Sequence, residues 1–168
     1  MPLSPGLRGR AAAIAMAAVL ALGGLTACDG LPPTVVISPP TTAPVATAGE
    51  RAVAAAQSEI GTPYLWGGRT PGVGFDCSGL TSWAWGRAGT AIPRTSRDQY
   101  AATRRITRAD LRAGDLVFYA ATGTTISHVA MYVGDGRIIH ARRPGTFVEY
   151  ESIDWWATNR VGYGRVQA

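Results

Sequence analysis

Three residues, Gly134-Asp135-Gly136, divide two apolar runs of strand length, residues 127–133 and 137–141. Glycine flanking aspartate is a hairpin signal, because both residue types tolerate the positive φ of a tight turn. A hairpin fixes the register of its two strands. If all three residues form the loop, Val133 faces Arg137, and His140 lies opposite Ala130 and diagonal to His128. His128, Ala130 and His140 then share one face of the sheet. A two-residue loop shifts the register by one and sends the histidines to opposite faces. These are the only two histidines in the chain, so this register decides whether they can act together.

The rest of the C-terminal half also reads as strands, at 115–119, 147–150 and 161–166. The region before it reads as helix. Thr47-Ala48-Gly49-Glu50 has the spacing of a capping box, followed by an Ala- and Val-rich run to about residue 60 that Gly61-Thr62-Pro63 stops. A second helix is predicted over 77–87, with Leu80, Trp83 and Ala84 as its apolar stripe and Gly86 and Gly89 weakening and ending it. A third is expected over 96–103, with Ser96 as its cap. Helices first and strands afterwards predict an α+β fold, with N-terminal helices packed on an antiparallel sheet.

The N-terminus has a different composition. Arg8 and Arg10 precede an uncharged Ala- and Leu-rich run that ends in Leu25-Thr26-Ala27-Cys28. This is the layout of an export signal, and its end resembles the lipobox of bacterial lipoproteins, in which the cysteine is lipidated after cleavage. Residues 1–27 are therefore expected to be a lipoprotein-type signal peptide and 28–47, rich in proline, an extended tether. Residues 48–168 form the folded domain. The expected location is the outer side of a cell membrane, lipid-anchored through Cys28 and facing the cell wall. If the lipobox is not used, the protein is secreted. All 16 basic residues are arginine. Fourteen of them (16 less Arg8 and Arg10) stand against 11 acidic residues, a balance too mild to indicate a nucleic-acid partner. It suits an anionic cell wall. The only basic pairs are Arg104-Arg105 and Arg142-Arg143.

With Cys28 assigned to lipid, Cys77 is the one free thiol of an exported protein. The rival is a Cys28–Cys77 disulfide. Cys77 sits in Gly74-Phe75-Asp76-Cys77-Ser78-Gly79-Leu80-Thr81, where a glycine-rich loop meets a helix start. The N-terminal dipole and free N–H groups there favour thiolate. One cysteine and two histidines suffice for a thiol hydrolase. Cys77 would attack a carbonyl, and His128 would take the thiol proton and return it to the leaving amine. His140 would orient the His128 ring. The N–H of Cys77 or Ser78 would hold an oxyanion. This requires the helix bearing Cys77 to pack its N-terminus on the face that carries the histidines. Activity should then fall in acid as His128 protonates, within the pH 5–8 window of an ordinary histidine. A zinc site with an open fourth position is the chemical rival, although no close ligand pair is present.

The same residues carry a resemblance. Gly61-Thr62-Pro63-Tyr64-Leu65-Trp66-Gly67-Gly68, Phe75-Asp76-Cys77-Ser78-Gly79-Leu80, Ile92-Pro93-Arg94-Thr95-Ser96 with Gln99, the segment 111–118, and the two histidine strands resemble the NlpC family of cell-wall cysteine peptidases, in that family's order. The resemblance implies a papain-like fold, no cofactor and no metal. It also implies hydrolysis of peptidoglycan stem peptides, usually between D-glutamate and the diamino acid. By the same matching Cys77, His128 and His140 are catalytic. Tyr64 lies at the active site and assists the oxyanion, or instead packs on Trp66. Asp76 and Ser78 match positions that touch the substrate amine, although Asp76 reads equally as a helix cap. Arg94 and Ser96 would line the cleft or be solvent-facing turn residues. The alternatives left open are an amidase or acyltransferase on the same fold, and a non-catalytic wall-binding protein.

Overall fold

The structure, a computed structural model, describes residues 45–168. The signal sequence, Cys28 and the tether as far as residue 44 lie outside the described residues. Helix α1 (Ala48–Gln57) starts at the capping box: Thr47 Oγ1 accepts from the Glu50 N–H, and the Glu50 carboxylate accepts from the Thr47 N–H. It ends three residues short of the expected stop, in turns that lead to Gly61. Helix α2 (Cys77–Arg87) spans the predicted residues. Asp76 caps its start, with Oδ1 accepting from the Gly79 N–H at 2.6 Å. At its other end Gly89, with φ at 94°, turns the chain out of the helix. There the Gly89 N–H donates to Gly86 O and the Thr90 N–H to Trp85 O, a Schellman closure that only a residue tolerant of positive φ can make.

Helix α3 (Ser96–Ala102) corrects one expectation. Its cap is Thr95, not Ser96: Thr95 has extended backbone and its hydroxyl accepts from the Asp98 N–H, while Ser96 is already the first helical residue. Two short strands, β1 (Arg69–Thr70) and β2 (Gly74–Phe75), form a small hairpin in the glycine-rich loop before Cys77. Gly79 is required there, because a Cβ would collide with the Gly68 carbonyl. This close approach locks the loop onto the first turn of α2.

The main sheet has six antiparallel strands in the order β3-β8-β4-β5-β6-β7. They are β3 (Arg104–Ile106), β4 (Leu116–Tyr119), β5 (His128–Gly134), β6 (Arg137–Ala141), β7 (Val148–Ser152) and β8 (Arg160–Arg165). The hairpin reaches the expected register by another route. The turn is a two-residue one, Asp135-Gly136, with both φ values positive and Gly134 paired to Arg137. An irregularity between Tyr132 and Gly134 then absorbs Val133, and such a bulge shifts pairing by one residue. Beyond it Tyr132 faces Ile138 and Met131 faces Ile139, the register that sets both histidines on one face.

The sheet separates two cores. On one face Leu116, Phe118, Val129, Met131, Ile139 and Ala141 pack against Ala52 and Ala56 of α1 and Leu80, Ala84 and Trp85 of α2. Leu80 is fully buried, which stabilises the fold by about 2–3 kcal/mol. On the other face Val117, Tyr119, Ala130 and Ile138 pack with Ile153 and against Trp155 and Trp156. The helices therefore cover the odd-numbered face of β5 and β6, while His128 and His140 lie on the opposite, even-numbered face. The body of α2 thus packs on the face opposite the histidines, whereas its N-terminus, the part expected to meet them, shares a cleft with His128. Ladder pairing between β5 and β6 stops at Met131–Ile139, and the start of α2 reaches the first residues of β5, where the Val129 N–H points to the Cys77 thiol.

Candidate active site

Each side chain of the site is delivered by a different kind of element. Asp76 ends a loop, Cys77 and Ser78 open a helix, and His128 is the first residue of β5. These four line one cleft of about 1130 Å³, together with Tyr64, Arg94 and Ser96. His140 stands behind His128, fully buried, with His128 Nε2 at 3.1 Å from His140 Nδ1. The structure thus gathers Cys77, His128, Tyr64, Asp76, Ser78, Arg94 and Ser96 around one space, with His140 in contact with His128. Cys28 lies outside the described residues.

The wall around α2 is cross-braced. Arg94 forks onto Asp76, with Nη1 to Oδ1 at 2.9 Å and Nη2 to Oδ2 at 2.7 Å. Asp76 Oδ2 also accepts from the Gly67 N–H at 3.0 Å. With the Gly79 cap, the carboxylate receives four strong donors, which fills its lone-pair positions. The two readings of Asp76 are therefore not equal in geometry: the cap is formed, and its oxygens are already engaged by the protein. Arg94 also donates to Ser78 Oγ at 3.1 Å, so Arg94 braces the wall that it lines. Behind it the fully buried Gln99 donates to Ser78 O and Pro93 O and accepts from Thr81 Oγ1. This amide fixes α3 and the Pro93 turn against α2.

Electrostatics at the thiol differ from the expectation that a helix start favours thiolate. Burial pushes the Cys77 thiol up and the neighbouring Asp76 carboxylate adds to that, while the N–H groups of Val129 and Ser78 pull in the opposite direction. Removal from water outweighs the helix terminus. Burial likewise lowers His128 to about 4, with the positive charge of Arg142 contributing. His140 falls to about 3 through burial, His128 and Arg142. Thiol and imidazoles are each neutral at rest. Burial raises Tyr64 too, helped by Cys77 and Asp76, so its phenol keeps its proton and remains a hydrogen-bond donor. Tyr64 is half-buried against the α2 core, and Trp66 is 85% exposed at the cleft rim. Tyr64 therefore does not owe its position to packing beneath Trp66.

Sequence reasoning missed the far wall. Trp155 stands edge-on to both histidines, with ring centroids 5.3 Å from His140 and 6.1 Å from His128. The Arg142 guanidinium lies 5.3 Å from the Trp155 ring centre. Both line the cleft, as does Trp156, which stacks on Tyr119. The available signal was Trp155-Trp156 in a segment without strand periodicity. Two adjacent indoles in a turn are difficult to bury unless they serve a second core.

Comparison with known proteins bears on this arrangement. The NlpC/P60 family model matches residues 61–165, which contain all the site residues described above. The bifunctional muramidase/DL-endopeptidase CwlT of Bacillus subtilis is 41% identical over 111 residues, covering 64% of this chain and 33% of that protein. Among solved structures, an NlpC/P60 family protein from Bacillus cereus superposes with a TM-score of 0.68 at 32% identity, covering 74% of this chain and 42% of that one. The peptidoglycan hydrolase RipB of Mycobacterium tuberculosis gives 0.63 at 33% identity, covering 72% and 65%. The chain spans from 21% to 52% of the length of the curated relatives it matches. On the family match and these likenesses, the chain belongs to the NlpC/P60 family, with its papain-like α+β fold.

Proposed function

We propose that the domain is a peptidoglycan endopeptidase that hydrolyses stem-peptide amide bonds, between D-glutamate and the diamino acid, by a Cys-His-His thiol mechanism. The observation that carries this reading is the 3.1 Å contact between His128 Nε2 and His140 Nδ1 behind a lone thiol at a helix start. That contact leaves Nδ1 as the only His128 nitrogen able to take a proton. To act as base, Nδ1 must be bare, so Nε2 carries the hydrogen and donates to His140 Nδ1. His140 then carries its own hydrogen on Nε2, which is buried without a partner. The opposite tautomer would protonate Nδ1 and remove the base.

In the reaction Cys77 Sγ attacks the γ-carbonyl carbon of D-glutamate as its proton passes to His128 Nδ1. Two ionised neighbours offset each other's burial penalty in a way that neither could alone. The first-turn N–H groups of Cys77 and Ser78 have no intrahelical acceptor and are well placed to receive the developing oxyanion, with the Tyr64 hydroxyl as a third donor. Collapse breaks the C–N bond, and His128 gives its proton to the departing amine. Water, deprotonated by His128, then attacks the thioester and releases the acid and the free thiol. The cleft lining carries four arginines, Arg94, Arg97, Arg142 and Arg143, against one carboxylate, Asp76. This balance suits an anionic peptide. Asp76 serves the substrate through Arg94 and Ser78, which it holds in place, and Ser96 presents its hydroxyl at the cleft edge.

The Leu25-Thr26-Ala27-Cys28 sequence supports lipidation of Cys28 and a membrane-anchored position facing the wall. Digestion of purified muropeptides, followed by mass spectrometry, tests the activity. The expected products are fragments with a new D-glutamyl carboxylate and a new diamino-acid amine. Cleavage at another bond, or product formation that survives Cys77→Ala, contradicts the proposal.

A further inference from the structure

Arg142 follows Ala141, the last residue of β6, and stands two residues beyond His140. It lines the cleft, and its guanidinium leans on Trp155, which in turn touches both histidine rings. Among the described residues no carboxylate pairs with it. Its Nε is buried and has no hydrogen-bond partner. Arg94 on the opposite wall spends its fork on Asp76, and the cleft-lining Arg97 spends its Nε on the Ile126 carbonyl. The terminal nitrogens of Arg142 also have no acceptor among the described residues and, unlike its Nε, are not buried, so a carboxylate arriving in the cleft can meet them. The position also indicates which part of the substrate supplies that acceptor. His128 must reach the leaving amine, so the residue on the amine side of the broken bond lies along the His128 wall, beside Arg142.

We propose that Arg142 binds a carboxylate carried by the residue on the amine side of the cleaved bond, and so selects stem peptides whose diamino acid is not amidated. This rests on the endopeptidase reading above. A guanidinium fork on a carboxylate is charge-assisted and directional, whereas a carboxamide offers the same outline with one acceptor and no charge. Trp155 supports the guanidinium through its ring face. Arg142 acts here as a specificity-determining residue and takes no part in bond breaking.

The test compares three synthetic tripeptides of L-alanine, γ-linked D-glutamate and diamino acid: the free acid, the form amidated on the diamino acid, and the form amidated on the D-glutamate α-carboxyl. Binding is followed by tryptophan fluorescence in the full chain carrying Cys77→Ala, and turnover in the chain with Cys77 intact. The free acid should bind about tenfold or more tighter than the diamino-acid amide. In Arg142→Gln that ratio should collapse towards one, while Arg142→Lys, keeping charge without the fork, should retain part of it. The preference between the free acid and the D-glutamyl amide should not respond to Arg142. An unchanged diamino-acid ratio in Arg142→Gln overturns the proposal. So does a parent protein without that preference, or an Arg142 effect confined to the D-glutamyl amide. Failure of the endopeptidase reading looks different: none of the peptides is cleaved by the intact chain, whatever the binding ratios.

Discussion

The two walls of the cleft are built on opposite principles. On the α2 wall the Asp76 carboxylate, the Arg94 guanidinium and the Gln99 amide all have partners. Asp76 takes the Gly67 and Gly79 N–H groups and both arms of Arg94, and Gln99 ties Ser78 to Pro93. On the histidine wall three buried polar atoms have none: His140 Nε2, Arg142 Nε and Trp155 Nε1. These are the only such atoms among the described residues, and all three belong to side chains grouped around Trp155 beside His128. One wall is a braced frame that holds Cys77, the proposed nucleophile, still. The other stores unmet hydrogen bonding in a low-dielectric space, where a transferred proton or an arriving anion gains most. The difference teaches where to expect mutations to harm stability and where to expect them to harm turnover.

The largest effect should come from the histidine wall. His128→Ala should lower kcat in the folded fraction by about 10²–10⁴ through loss of the proposed general base, an effect beyond the stability cost of the vacated buried site. His140→Ala should lower kcat at least tenfold by freeing the His128 tautomer; steady-state kinetics with circular-dichroism melts would separate the two effects. A large loss of stability with normal kcat in the folded fraction would erase the distinction between the walls. Next comes Asp76→Ala, which removes a helix cap and strands the Arg94 guanidinium. Chemical denaturation should show a loss of about 2–4 kcal/mol, with the folded fraction retaining more activity than His128→Ala.

A smaller effect is set by pH. The buried rings of His128 and His140 bind a proton less readily when folded, near pH 4 and 3, than an ordinary histidine at 6.5. Protonation therefore favours the unfolded chain. The stability these rings confer is complete above about pH 6.5 and is lost as pH falls towards 4. His128 alone accounts for about 2–3 kcal/mol of that loss at pH 4.5, readable as a falling melting temperature that His128→Asn flattens. The same shift revises the activity profile. An ordinary histidine base would cut activity within pH 5–8, whereas a base near 4 leaves that range flat on the acid side and places the fall below it. The smallest effect is Thr95→Ala, which should cost about 1 kcal/mol as a lost helix cap, read by chemical denaturation.

What could be read from the chain tracks how local its cause is. The ends of α2 were legible because Asp76 and Gly89 act on their own neighbours. The shared face of the histidines was legible because it follows from period two and one turn. The route to that register was not, since the bulge at Val133 compensates for a shorter turn and no single residue signals it. The choice between Thr95 and Ser96 as cap rests on which hydroxyl meets the Asp98 N–H, a difference of one residue in backbone entry. Strands β1, β2 and β3 are only two or three residues long, below the length at which alternation can be seen. The sheet face chosen by α2 depends on non-local packing of Leu80 and Ala84 against Met131 and Ile139. The Arg142–Trp155 contact joins two segments that carry no motif. In the sequence Arg142 stood out only as half of a basic pair.

The central claim, that Cys77 attacks the D-glutamyl carbonyl with His128 as base, is tested most directly by intact-mass spectrometry of the protein quenched during stem-peptide turnover. The account predicts an added mass equal to the D-glutamyl side of the substrate, mapped to Cys77 by peptide sequencing and absent from Cys77→Ala. An adduct on another residue would contradict it. So would product release with no adduct on Cys77 that continues undiminished in Cys77→Ala.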